Sequence, residues 1–346
     1  MIQDGEISIV VQGPVLRESS FNITSETTRV ICARLKKLFP KSELILSTWE
    51  GEDVGGILFD KLILSKDPGA IWFNYENYNL LNNCNRLIVS TKAGIEAASN
   101  KYVFKVRSDL FLMSKSFLKY FDKFSFYDAN YKHVKSRIIS FSIFSIKGHK
   151  TSLFTMERPY HISDWAYFGY KEDLLDLYSI PLTQEPEFSQ WFLKRCKPFF
   201  DIEPWRLWKM PPEQYVTSSF LKKHTRVQLE HTTDLSNNNV ENSARLLANN
   251  FLVLDQTQFS CISLKYVTLQ FLFDDLIKDS AIFYETWLKD YHKFCNVCWN
   301  VKKLGEKMQI VGRRFFYIFL NRTLTIINKK NKLIQRVLAN FIHKLI

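Results

Sequence analysis

Glycine and proline are scarce in this chain of 346 residues, at 11 and 10, which excludes collagen-like and low-complexity linker proteins. Cysteine is scarcer. Cys32, Cys84, Cys196, Cys261, Cys295 and Cys298 are spread too thinly for a disulfide scaffold. Cys295 and Cys298 form a lone C-x-x-C pair with only His292 nearby; a structural zinc site needs four ligands, so buried or free thiols are expected. No apolar run reaches the roughly 18 residues that span a bilayer, and Met1 to Glu6 lacks the basic and apolar regions of a signal peptide. A cytoplasmic protein is the expectation. Several motifs are missing as well. There is no G-x-x-x-x-G-K-S/T, no G-x-G-x-x-G after the first strand, no H-E-x-x-H and no G-x-S-x-G. These absences exclude P-loop enzymes, classical dinucleotide folds, zincin proteases and nucleophile-elbow hydrolases.

What is present is a globular composition, 46% hydrophobic and 24% charged, enough for one large core or two domains. Charge is distributed unevenly. Of the net +12, residues 301–346 carry +10, from eleven Lys/Arg against Glu306 alone. A nearly neutral body thus precedes a basic tail. In that tail Leu333, Ile334, Val337, Leu338, Phe341, Ile342 and Leu345 recur at helical spacing, with Lys332, Arg336 and Lys344 off the stripe. This pattern predicts a basic amphipathic helix. It suits an anionic membrane surface, with a cap on the body or a dimer contact as the alternative. Nucleic acid is not expected, because the body has neither zinc-finger spacing nor an aromatic RNA-binding signature.

Hydrophobic periodicity predicts strands at Ile7–Val11, Glu43–Trp49, Lys61–Ser65 and Tyr102–Arg107, and helices at 28–39 and 86–98. Asn74 to Asn85 reads as an irregular loop, Ile138 to Ile146 as a strand, and His161 to Gly169 as strand and turn before a helix at 171–178. Pro211-Pro212-Glu213 opens a helix to His224, and Ser236 to Ser243 reads as an Asn-rich loop. Strands alternating with helices over about the first 110 residues predict an α/β, parallel doubly wound sheet, whose ligands sit beyond the carboxyl ends of the strands. Gly13, Glu50 to Asp53, Asp67 and Asp109 fall at those ends. Strand-end carboxylates suit a nucleoside diphosphate bound through a divalent cation, while Arg or Lys can neutralise it directly. Arg107-Ser108-Asp109 offers both, and a helix-capping Asp109 explains the spacing equally well.

Five blocks, Ile9 to Val15, Leu44 to Gly51, Asp67-Pro68-Gly69, Asn85-Arg86 and Val106 to Leu110, resemble in order and spacing the WavE family, which is associated with bacterial lipopolysaccharide synthesis. The likeness covers roughly residues 5–230. It implies a GT-A-like doubly wound mixed sheet over 1–250, with a nucleotide-binding half at 1–115 and an acceptor half at 116–250, followed by a helical basic region at 251–346. It further implies a glycosyltransferase moving a hexose from a nucleotide-sugar donor to a lipid-linked saccharide acceptor at the inner face of the bacterial inner membrane. In GT-A enzymes an Asp-x-Asp motif holds a metal. Here Arg107 stands where the first Asp would, so the resemblance leaves open Mn2+ or Mg2+ at Asp109 and direct phosphate contact by Arg107. His161, His224 and His231 are further metal candidates.

The same likeness implies donor contacts from Gln12, Gly13, Pro14, Trp49, Glu50, Asp53, Arg86, Arg107 and Asp109. Inverting transfer needs a carboxylate base, for which Glu213 is the first candidate and Asp164 the rival, Asp164 being favoured instead for acceptor binding beside Trp165; a first-turn acid stabilising the helix dipole, or an acceptor contact, is the alternative role for Glu213. Trp165 and Tyr167 are the expected acceptor contacts, with core packing the alternative for Trp165. Two other functions fit the same sheet: a sugar-phosphate or nucleotidyl transferase, and a non-catalytic membrane-bound assembly factor.

Overall fold

The computed structural model describes residues 2–17, 26–75, 78–150, 155–195, 207–264 and 281–296. The chain enters through β1 (Ile7–Gln12), every residue of which is buried. A short strand rich in β-branched residues and buried along its whole length belongs inside a parallel sheet covered on both faces. There follow α1 (Thr27–Leu38), β2 (Glu43–Trp49), β3 (Lys61–Ser65), β4 (Ile71–Tyr75), β5 (Tyr78–Asn82), α2 (Cys84–Glu96) and β6 (Tyr102–Arg107). The second half holds β7 (Leu110–Leu112), β8 (Ile138–Phe141), β9 (Gly148–Lys150), β10 (Thr155–Glu157), β11 (Ala166–Tyr170), α3 (Lys171–Tyr178), α4 (Pro212–His224) and α5 (Asn239–Asn250). Last come β12 (Phe251–Leu254), α6 (Gln256–Phe259), β13 (Cys261–Ser263) and α7 (Tyr284–Phe294).

Seven strands form the central sheet in the order β12-β8-β11-β6-β1-β2-β3. β6, β1, β2 and β3 are mutually parallel. β11 runs antiparallel to both β6 and β8, and β12 is parallel to β8, so β11 alone is reversed. This is the α/β, doubly wound mixed sheet expected from the sequence. On one face α2 lies so close that a Cβ on Gly94 would stand 2.4 Å from Val10 Cγ1. On the other, Phe104 packs on Phe39 and Phe117, with ring centroids 6.3 and 4.9 Å away, and Phe117 stacks on Phe259.

Three sequence expectations are corrected. Residues 74–85 are not an irregular loop: β4 and β5 pair antiparallel, from Ile71↔Asn82 to Tyr75↔Tyr78, and α2 starts at Cys84. The strand from Ile138 ends at Phe141, where Ser142 N donates to Leu254 O and Phe144 takes a positive φ of 64°. The Asn-rich loop gives way to helix at Asn239, whose side-chain amide donates to Gln228 O at 2.7 Å. The sequence boundary at residue 250 falls immediately before β12, a strand of the central sheet, and α7 anchors there through Trp287 Nε1, which donates to Phe251 O at 2.7 Å. The described residues beyond 250 therefore pack as part of the α/β body. Cys32, Cys84, Cys261 and Cys295 are free thiols. Cys196, Cys298 and the basic tail 301–346 lie outside the described residues. Among the described residues, no helix is long and apolar enough to cross a membrane.

Candidate functional site

The carboxyl ends of β1, β2 and β6 open into a cleft of about 640 Å³. β1 stops because Gly13 turns with φ +122°, and a Cβ there would meet Ser108 Oγ at 3.1 Å. Only glycine combines that dihedral with so close an approach. Ser108 locks the turn from the opposite strand: its N donates to Gln12 O and its Oγ to Pro14 O, at 2.9 and 2.8 Å. Gln12 Nε2 donates to Ser90 Oγ at 2.8 Å.

Beside this turn Arg107 grips Asp109, Nε to Oδ1 at 3.1 Å and Nη2 to Oδ2 at 2.6 Å. The Asp109 side chain is 2% exposed and that of Arg107 23%. The guanidinium also lies over the Trp165 ring, 4.6 Å from its centroid. This fixes one cation at the end of the central strand, held by a carboxylate and an aromatic face. A second stands on α2, where Arg86 forks onto Asp67, with Nε to Oδ1 at 2.7 Å and Nη2 to Oδ2. The Arg86 hydrogen bonds hold Asp67 below the usual carboxylate range.

Two carboxylates face this pair. Asp164, in the segment before β11, is buried at 6% exposure, and its Oδ1 has no hydrogen-bond partner among the described residues. Glu213 is the second residue of α4. Both line the cleft, as do Gln12, Gly13, Pro14, Trp49, Glu50, Arg86, Arg107 and Asp109. Glu52 and Asp67, placed at strand ends by the sequence but not given a role there, also line it, as do Asn83 and Ser108, which the sequence did not mark as site residues. Asp67 was legible as a strand-end acid, whereas Ser108 needed the fold. The N-termini of α2 and α4 reach the cleft at Asn83 and Pro212, adding partial positive charge for an anion.

Three expected residues lie elsewhere. Asp53 is exposed on a loop, paired with Arg17 at 2.6 Å, and does not line the cleft. Trp165 is 2% exposed beneath Arg107, so its face is covered by the guanidinium and is closed to a sugar. Tyr167 is fully buried on the α2 side of the sheet, 6.2 Å from Tyr178. Neither is placed to touch an acceptor.

Beneath the cleft lies a residue that sequence reasoning passed over. Lys105 of β6 is fully buried, and its Nζ donates to the main-chain oxygen of Asp164. The Tyr167 and Tyr178 rings flank it, each 6.0 Å from Nζ. Burial pulls its pKa down to about 8, against the opposing pull of the Asp164 carboxylate. The available signal was a lysine in the middle of an otherwise apolar strand.

Both Asp109 oxygens accept from Arg107, and among the described residues no group of three or more His, Cys, Asp or Glu is placed to hold an ion by protein ligands alone. The candidate histidines are not among the residues lining the cleft: His161 is buried, His224 sits 2.6 Å from Asp176, and His231 lies edge-on to Phe192. What the site offers is two oriented guanidiniums, a glycine turn allowing close backbone approach, and carboxylates able to take a hydroxyl proton.

No curated protein matches the chain. Among solved structures, it is similar to 4-diphosphocytidyl-2C-methyl-D-erythritol synthase from Anaerococcus prevotii, at 13% identity and a TM-score of 0.32, over 56% of this chain and 87% of that one. It is also similar to HddC from Yersinia pseudotuberculosis, at 10% identity and a TM-score of 0.28, over 49% and 79%. Likeness this distant carries no argument about activity. A family model described as WavE lipopolysaccharide synthesis, in contrast, matches residues 7–314, most of the chain. The chain belongs to the WavE lipopolysaccharide synthesis family.

Proposed function

We propose that the chain is an inverting glycosyltransferase that moves a hexose from a nucleoside-diphosphate sugar to a lipid-linked or oligosaccharide acceptor of bacterial surface polysaccharide. The observation that supports this most is the convergence of Arg107, Arg86 and the Gly13 turn with Asp164 and Glu213 in one cleft. In this reading the diphosphate lies along the turn against the two guanidiniums. The acceptor oxygen attacks the anomeric carbon as the sugar–phosphate bond breaks, and the nucleoside diphosphate leaves with the bonding pair. Arg107 and Arg86 stabilise the charge that develops on it. The hydroxyl proton passes to a carboxylate. Glu213 is favoured by its place at a helix start, but the unpartnered Oδ1 of Asp164 makes Asp164 the better base, with Glu213 holding the acceptor. The basic tail 301–346 would keep the enzyme on anionic lipid at the inner face of the inner membrane.

The test is a thermal-shift screen against nucleoside diphosphates and sugar nucleotides, with and without manganese, followed by product analysis with the stabilising donor. Selective stabilisation by one nucleotide class is expected. Asp164→Asn is expected to keep that stabilisation and to lose about 10³-fold in kcat. No shift with any nucleotide would overturn the reading. A product carrying phosphate in the new bond, or release of pyrophosphate, would replace it with a sugar-phosphate or nucleotidyl transferase.

A further inference from the structure

Lys105 stands out from its surroundings. Its neighbours along β6, Phe104 and Val106, are buried and apolar, as its place between β1 and β11 requires. An ammonium there gives up its water. Among the described residues no carboxylate closes on it as an ion pair, and its one hydrogen bond goes to the Asp164 carbonyl. Burying a charge without an ion partner is costly, because nothing replaces the water the charge gives up. An apolar side chain of similar length would fill the same space without that cost. Packing alone therefore gives no reason for a lysine.

The cleft above supplies one. The charged groups that act on Lys105 are Asp164 before β11, Asp109 after β6, Glu213 on α4, and Arg107 two residues along its own strand. Three are carboxylates at the cleft. Tyr167 of β11 and Tyr178 of α3 close the space around Nζ. We propose that Lys105 is a positioning residue for the transfer: it holds the Asp164 segment by its carbonyl and sets a buried positive charge beside the carboxylates of the cleft before one of them takes the acceptor proton. It touches no substrate. The inference rests on the transferase reading for its chemistry, but not for the grip on Asp164.

The test uses the full chain with Lys105→Met and Lys105→Gln. Amide hydrogen exchange over residues 161–165 reads the grip without any turnover, and at least tenfold faster exchange is expected in both variants. Steady-state kinetics with the donor found by the screen read the charge. The expected result is kcat lowered ten- to a hundredfold, donor KM within about twofold, and the acidic limb of the rate profile moved up by about one pH unit. Unchanged exchange overturns the positioning role. Unchanged kcat and an unmoved limb overturn the electrostatic one. A lysine that merely fills the core would lower the folded fraction and leave both the limb and the kcat of the folded enzyme in place. Failure of both variants to fold would also defeat the proposal, since the argument requires that a neutral side chain be tolerated. If the wild-type chain transfers no sugar, the transferase reading fails by itself, and the exchange measurement still judges the grip.

Discussion

Arg107 occupies both oxygens of Asp109, and this pair decides what Asp109 does. A carboxylate that orients a guanidinium acts on the ligand through the cation, whereas a metal ligand acts only when the metal is present. Asp109→Asn should therefore weaken nucleotide binding about tenfold, equally in manganese and in a chelator, by isothermal titration. A loss seen only with manganese would restore Asp109 as a metal ligand. Removing one side of so buried a pair should also cost about 1–3 kcal/mol of stability. At this scale the sequence showed which residues gather at strand ends, because strand ends follow from periodicity. Gln12, Gly13, Glu50, Arg107 and Asp109 could be named that way, whereas Arg86, on α2, came only from the family resemblance. It did not show that Trp165 would be spent under Arg107 or that Tyr167 would face the core, because side-chain partners are set by neighbours hundreds of atoms away along the chain.

Among the elements, α2 meets the sheet at a glycine. A Cβ on Gly94 would stand 2.4 Å from Val10 Cγ1 and 3.0 Å from Ser47 Cβ, both rooted in central strands. Gly94→Ala favours helix locally yet must push α2 off β1 and β2. A net loss of about 1–3 kcal/mol is expected, read by urea denaturation; a gain would show that the helix shifts freely. The β2 entrance is tied by Glu43, which meets Lys61 at 2.7 Å and accepts from Ser99 N at 2.8 Å and from Ser8 Oγ. Burial would raise its pKa, but these hydrogen bonds, Lys61's first, pull it down to about 2. A carboxyl more acidic in the folded chain stabilises it above the ordinary Glu range, and that contribution fades as pH falls towards 2. Wild type should exceed Glu43→Gln by about 1 kcal/mol at pH 7, a figure discounted for solvent screening. The gap should close between about pH 5 and pH 2; a gap independent of pH would exclude the ionised carboxylate as its source. β2, β3 and β6 were legible residue for residue, since their apolar runs are bounded by polar turns. The β4–β5 hairpin was not, because Asn and Tyr obscure the alternation; nor was the reversal of β11, because direction is a property of the sheet and not of any one strand.

For the whole molecule the decisive quantity is where the charge sits. The first 300 residues carry about +2 and residues 301–346 carry +10. Among the described residues no helix is long and apolar enough to cross a bilayer; on the proposed reading the acceptor is lipid-linked, and the basic tail is the means proposed for staying near it. Each basic residue near an anionic surface contributes about 1 kcal/mol, and apolar burial adds to this. Such binding must depend on both lipid charge and salt, since surface charges are screened within about 10 Å at 0.1 M. The full chain should therefore sediment with vesicles rich in phosphatidylglycerol, not with phosphatidylcholine alone, and binding should fall at least tenfold between 0.05 and 0.5 M salt. Joint replacement of Lys332, Arg336 and Lys344 by Gln should weaken it by about 3 kcal/mol while leaving nucleotide stabilisation of the body unchanged. Binding that ignores lipid charge would point to the apolar stripe alone. No binding at all, with nucleotide stabilisation intact, would assign the tail to the protein's own surface or to a second copy of the chain, which light scattering of the full chain against the triple variant would separate.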